Sequence, residues 1–124
     1  MMDEYRKGWA LRYLREAKAE LQAAKKTSYM APSLFIEAIR KARNAIYYSL
    51  GEPAFVETVI RESAEKAQQI EDPVLKFLVE IEATVQHLGQ MEEINEENVM
   101  NQADNLVQIA SDIVEAIFGE KVED

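Results

Sequence analysis

Apolar residues return every three or four positions along almost the whole chain, the spacing of one face of an α-helix. From residue 3 to 26, Ala10, Leu14, Ala17, Leu21 and Ala24 carry such a face. Asp3 and Glu4 open it and Lys25 and Lys26 close it, the order the helix dipole favours. Gly8 weakens the first turns and moves the expected start towards Trp9. The pattern breaks over residues 27–30 and resumes at Pro32, which suits the first turn of a helix. The second helix, 32–50, has a core stripe of Leu34, Phe35, Ala38, Ile39, Ala42, Ala45, Ile46, Ser49 and Leu50. Its middle positions are small, so a neighbouring helix axis can come close. Gly51 follows as the expected C′ residue, free to take positive φ.

Pro53 marks the start of a third helix, 53–70, with a face of Val56, Val59, Ile60, Ser63, Ala67 and Ile70. Asp72 and Pro73 repeat the start signal as N-cap and N1 residues. The fourth helix runs to Leu88 with a stripe of Val74, Leu78, Ile81, Val85 and Leu88, and Gly89 is expected to end it. Leu75 and Val79 point elsewhere, so this helix is either central or in contact with a second subunit. An acidic loop containing Met91 leads to Asn95, the expected cap of a fifth helix. Its stripe is Val99, Ala103, Leu106, Val107, Ala110, Ile113, Val114 and Ile117, and Gly119 stops it. Short connections between long helices give antiparallel neighbours. The expectation is all-α, an up-and-down bundle of four to five antiparallel helices in one domain over 1–124, with 119–124 as a frayed tail.

Composition supports that picture. Hydrophobic residues are 48% and charged residues 30% of 124, which excludes a disordered chain. A domain of this size buries roughly 65% of its unfolded surface and needs no staples. The absence of cysteine removes disulfides, thiolate nucleophiles and thiolate metal sites. No run reaches the length of a signal peptide core or a membrane span, so a cytoplasmic protein is expected. Charge adds an asymmetry. Residues 1–51 hold ten Lys/Arg and five Asp/Glu, a net +5, and the remainder carries −14, for a total of −9. The total argues against tight, indiscriminate nucleic-acid binding. It leaves open a local basic face, or basic helices neutralised by acidic neighbours.

Few residues offer chemistry. His87 is the one histidine, with Thr84 three positions before it, so the Glu-x-x-His pattern of a bundle metal site is absent. Glu62 and Glu65, or Glu92, Glu93, Glu96 and Glu97, read as solvated acidic faces, and no metal or other cofactor is expected. His87 lies on the polar side of its helix, without a nucleophile to serve. Trp9 and Tyr13, four apart, form a base or cofactor platform, peripheral core or an interface. Lys41 and Tyr48 flank the core edge opposite a second stripe of the second helix. That stripe, Ile36, Arg40, Arg43 and Tyr47, lies beside the core stripe. Guanidinium forks suit phosphates and carboxylates, and aromatic rings suit bases, so it is a candidate anion site. An isoleucine outside the core equally suits a homodimer face, and plain packing is the third reading. Asn98, Asn101, Asn105 and Gln108 line the outer side of the fifth helix as a polar interface would.

The run YLREAKAELQAA, a loop, and then A-I-R-K-A-R-N-A-I-Y-Y-S-L-G resemble small prokaryotic HEPN-type proteins, in detail over residues 13–51. That resemblance implies a helical bundle, commonly dimeric, often paired with a nucleotidyltransferase-like partner protein in toxin–antitoxin systems. Ribonuclease members carry an arginine, a polar residue and a histidine a few positions on. Here EIEATVQ precedes His87, and Glu80, Ile81 and Glu82 stand where the arginine would be, so no catalytic residue carries over. The favoured reading is a non-catalytic bundle that self-associates and binds a partner. The alternative is a nucleotide- or RNA-binding module, or a degenerate toxin-type component, using Arg40, Arg43 and Tyr47.

Overall fold

The structure is a computed structural model that describes residues 4–27, 31–65, 71–90 and 96–119. Five α-helices follow one another: α1 (Glu4–Lys26), α2 (Ala31–Leu50), α3 (Pro53–Ala64), α4 (Pro73–Gln90) and α5 (Glu96–Phe118). No strand occurs among the described residues, and the helices form a bundle. The hub is α2. It packs against all four other helices, most extensively against α1 and then α5. The helix α4 packs on α2 and α3 and barely approaches α5.

The small-residue stripe explains why α2 is the hub. Ala38, Ala42 and Ala45 are fully buried, and α1 contributes the equally buried Ala10 and Ala17. With little beyond Cβ on either surface, the backbones come close and dispersion contacts multiply. Phe35, Ile39 and Ile46 fill the space to either side. The hydroxyl of Ser49, buried on the same stripe, donates to the Ala45 carbonyl at 2.7 Å and so is satisfied within its own helix.

The two helices run antiparallel, because Lys41 meets Glu20 while Tyr48 meets Trp9. Lys41 Nζ lies 2.6 Å from Glu20 Oε1 and 3.9 Å from Glu16 Oε2. The Glu20 hydrogen bond outweighs burial and holds the ammonium above the ordinary lysine value. A raised lysine pKa contributes stability that is fully present below about 10.4 and lost as pH rises past it. Lys41→Met is therefore expected to cost about 1 kcal/mol at pH 7 by urea titration, the cost shrinking above pH ~10.4. A cost that persists unchanged at high pH would show that only the lysine stem matters.

Several boundaries differ from the periodicity. α1 begins at Glu4 and continues through Gly8, so packing overrides the glycine penalty. Gly51 does not take positive φ; among described residues only Gly119 does, at 70°. Gly51 instead donates to Tyr47 O at 3.1 Å like a helical residue, and Pro53 starts α3 almost at once. Gly89 does not end α4, which reaches Gln90. Asp72 caps α4 as expected, accepting the Leu75 N–H at 3.4 Å. The expected N-cap Asn95, the loop residue Met91, the helix-three positions Ala67 and Ile70, and the Val74 side chain lie outside the described residues. α3 ends at Ala64, and among the described residues of its face only Ile60 is fully buried. α4 is peripheral rather than central, leaving Leu75, Phe77 and Val79 half-buried. No described helix is long and apolar enough to cross a membrane.

Candidate functional site

The stripe on α2 divides in two once α4 lies against it. Ile36 packs half-buried against the core. Arg40 stays half-exposed and pairs with Glu37, one turn back, at 3.5 Å. Arg43 and Tyr47 turn to α4 and converge on Glu82. Arg43 Nη1 donates to both Glu82 oxygens, at 3.5 and 3.4 Å, and the Tyr47 hydroxyl donates to Oε2 at 2.6 Å. Gln86, one turn further along α4, donates to Oε1 at 3.0 Å. The guanidinium carbon also sits 5.8 Å from the Tyr47 ring centre.

The carboxylate thus accepts from three side chains on two helices. Burial would raise its pKa, but the hydrogen bonds from Tyr47 and Gln86, with the Arg43 charge, outweigh that and hold it below the ordinary carboxylate range. Tyr47 is pushed the other way. Its burial, then its hydrogen bond to Glu82, holds the phenol well above its usual value. Glu82 is therefore an ionised acceptor with its lone pairs occupied, ill-suited to act as a general base. The Arg43 fork is neutralised from within. The expectation that the stripe lies outside the core fails at Tyr47, which is 3% exposed. The reason is α4, which covers that side.

Glu82 was not singled out from the sequence. A signal existed: it lies four residues after Leu78 and three before Val85, both buried, so a carboxylate sits on a core-facing side. A charge there needs partners. Nothing local says that the partners lie on α2.

A second cluster sits at the other seam of α2. Tyr48 stacks on Trp9 and Tyr13, with ring centres 6.1 and 5.6 Å apart, and Tyr5 meets Trp9 edge-on at 6.3 Å. Arg12 lies 4.9 Å over the Trp9 ring. Trp9, Tyr13 and Tyr48 are half-buried. Beyond them, where α2 meets α3, Leu50 is 41% and Phe55 69% exposed. Both border an open hollow of about 390 Å³ whose other walls include Val59 and Leu75.

Other candidates stay apart. His87 is exposed in the last turn of α4. Among the described residues no group of three His, Asp or Glu is placed to hold a metal. Glu62 and Glu65 are exposed, and Glu92 and Glu93 lie outside the described residues. Asn98, Asn101, Asn105 and Gln108 are all exposed along α5. Comparison with known proteins finds no matching family model, no similar curated protein and no similar solved structure.

Proposed function

We propose that this protein is a non-catalytic helical bundle that works by association, forming a homodimer through the apolar end where α2 runs into α3. The observation that carries this reading is the exposure of Leu50 and Phe55 beside an open apolar hollow. Large apolar side chains grouped around a cleft favour a protein partner. A patch of this kind can serve both copies of an isologous pair. The resemblance of residues 13–51 to HEPN-type proteins supports the same reading, with an HEPN-like antiparallel bundle and a nucleotidyltransferase-like protein as a further partner. Because Arg43 and Tyr47 hold Glu82, the surface left for an external anion is smaller than the α2 stripe suggested.

Light scattering at micromolar concentration is expected to give twice the 14.2 kDa of one chain. Leu50→Glu/Phe55→Glu should give a single-chain mass, with stability changed by only about 0.5 kcal/mol because both side chains are exposed. A strict monomer for the native protein would end the homodimer reading.

The second reading, nucleotide or RNA binding, has one observation in its favour: the half-buried Trp9–Tyr13–Tyr48 stack beside Arg12. Bases stack on such rings. Trp9 is the chain's one tryptophan and reports on the stack directly. Under the association reading, titration with oligo-uridine leaves its fluorescence unchanged. Saturable quenching that is lost in Arg12→Ala would favour the second reading instead.

A further inference from the structure

We propose that the groove between α4 and α5 is a docking site for a cationic amphipathic helix of a partner protein. The groove exists because the two helices barely approach each other, and α2 is left as its floor. Ile39 and Leu106 lie at the bottom, Phe77 and Ile109 form the walls, and the space is about 290 Å³. On α4 the lining runs from Phe77 to Thr84. That is about 10 Å of helix at 1.5 Å per residue, two turns, the length over which an inserted helix places anchors at i, i+3 or i+4, and i+7.

Charge selects the occupant. α5 contains five acidic residues and no Lys or Arg, and α4 contains one lysine, Lys76. Glu80 stands exposed at the rim, and Asp112 lies one turn beyond Ile109 on the same side of α5. Asn105, also exposed, lines the same opening as Glu80. Cations flanking an apolar stripe match this edge, and the chain's −9 charge steers them towards it. Gln102 Oε1, on the α5 wall, is buried and accepts no hydrogen bond among the described residues.

A second copy of this chain is a poor fit. Its basic residues are concentrated on α1 and α2, whose apolar faces are buried in their own bundle. Two α4–α5 faces would bring acid against acid. The groove is separate from the Leu50–Phe55 patch, so the inference stands or falls independently of the homodimer.

The test uses a fluorescein-labelled 16-residue peptide with leucine at every third or fourth position and lysine elsewhere, titrated by anisotropy at 0.15 M salt. Saturable one-to-one binding is expected. Thr84→Arg, which puts a cation and bulk at the mouth, should weaken it at least tenfold. Glu80→Lys should weaken it severalfold, whereas Glu62→Lys, the same charge change on exposed α3, should have little effect. Thermal melts by circular dichroism confirm that each variant is folded. Binding kept by Leu50→Glu/Phe55→Glu supports a separate site. Four results would overturn the proposal: no binding; equal weakening by Glu80→Lys and Glu62→Lys, which would mean bulk charge alone; binding indifferent to Thr84→Arg; or a Thr84→Arg protein that loses its dimer mass, which would assign the groove to a second copy.

Discussion

Glu82→Ala is expected to destabilise the protein by about 2–4 kcal/mol at pH 7, slightly below the range for a fully buried pair because some water reaches this one. The side chains of Glu82 and Arg43 are 12% and 20% exposed, so neither is well screened by solvent. Removing the carboxylate leaves the Arg43 charge and the Tyr47 hydroxyl without their acceptor in a partly dry seam. It also removes the main polar tie between α2 and α4, whose remaining contact is the apolar stripe of α4. In a thermal melt the loss should be on the order of 10 °C. Tyr47→Phe should cost less, about 1 kcal/mol, because the ion pair survives. A double-mutant cycle between positions 43 and 82 would isolate the pair from the packing. A Glu82→Ala protein within about 0.5 kcal/mol of the native one, the ordinary range for a surface substitution, would show that α4 is held by apolar packing alone.

The same seam sets a pH dependence of known sign. Glu82 is held below the ordinary carboxylate value, so its contribution is complete above about 4.3 and is lost as pH falls through the lowered pKa. The gap between native protein and Glu82→Gln should therefore close in acid. Tyr47 is raised, so its contribution is complete below about 10 and is lost as pH rises beyond it. Native protein should lose stability above pH ~10 more steeply than Tyr47→Phe does.

Ala42→Leu is expected to cost about 3 kcal/mol, the upper part of the overpacking range. Ala42 is 0% exposed in the middle of the stripe that α1 approaches. Three added carbons must be fitted into a seam closed to solvent, so either the leucine leaves its rotamer well or the α1 and α2 axes separate. Separation would loosen the Lys41–Glu20 pair and the Trp9–Tyr48 stack, which lie two turns apart along one edge of the seam. Trp9 fluorescence should therefore shift along with the melting temperature. Ala42→Ser, which adds one atom that can bond back to its own helix, should be far milder. Retention of native stability by Ala42→Leu would show that the two helices are not in close approach.

The helices themselves were legible because their cause is local. Spacing of Ala10, Leu14, Ala17, Leu21 and Ala24 put one side of α1 inward, and all five are buried. On α5 the same holds for Val99, Ala103, Leu106, Val107, Ala110 and Val114, with Ile113 half-buried at the edge. Pro53, Pro73 and Gly119 mark real ends because proline sets φ and glycine accepts positive φ whatever surrounds them. Gly8 and Gly89 misled for the converse reason, whereas Gly51 does follow the end of α2 at Leu50 and departs from expectation only in its φ. A glycine permits a break in a helix without requiring one, and packing decided at each.

The stripe of Ile36, Arg40, Arg43 and Tyr47 shows where a single chain stops being informative. Its spacing established that these residues share one side of α2. Whether that side met solvent, a second copy or another helix depended on where α4 came to rest. The partner of Arg43 lies 39 positions away and that of Tyr47 lies 35 away, on a different helix. Periodicity reports the helix a residue belongs to and which neighbours lie three or four positions off. It carries no term for contacts between helices. The alanine stripe by itself determined that α2 would be approached closely. Only the tertiary structure decided that α4 would turn half of the candidate anion site into an internal ion pair, and would stand far enough from α5 to leave a groove.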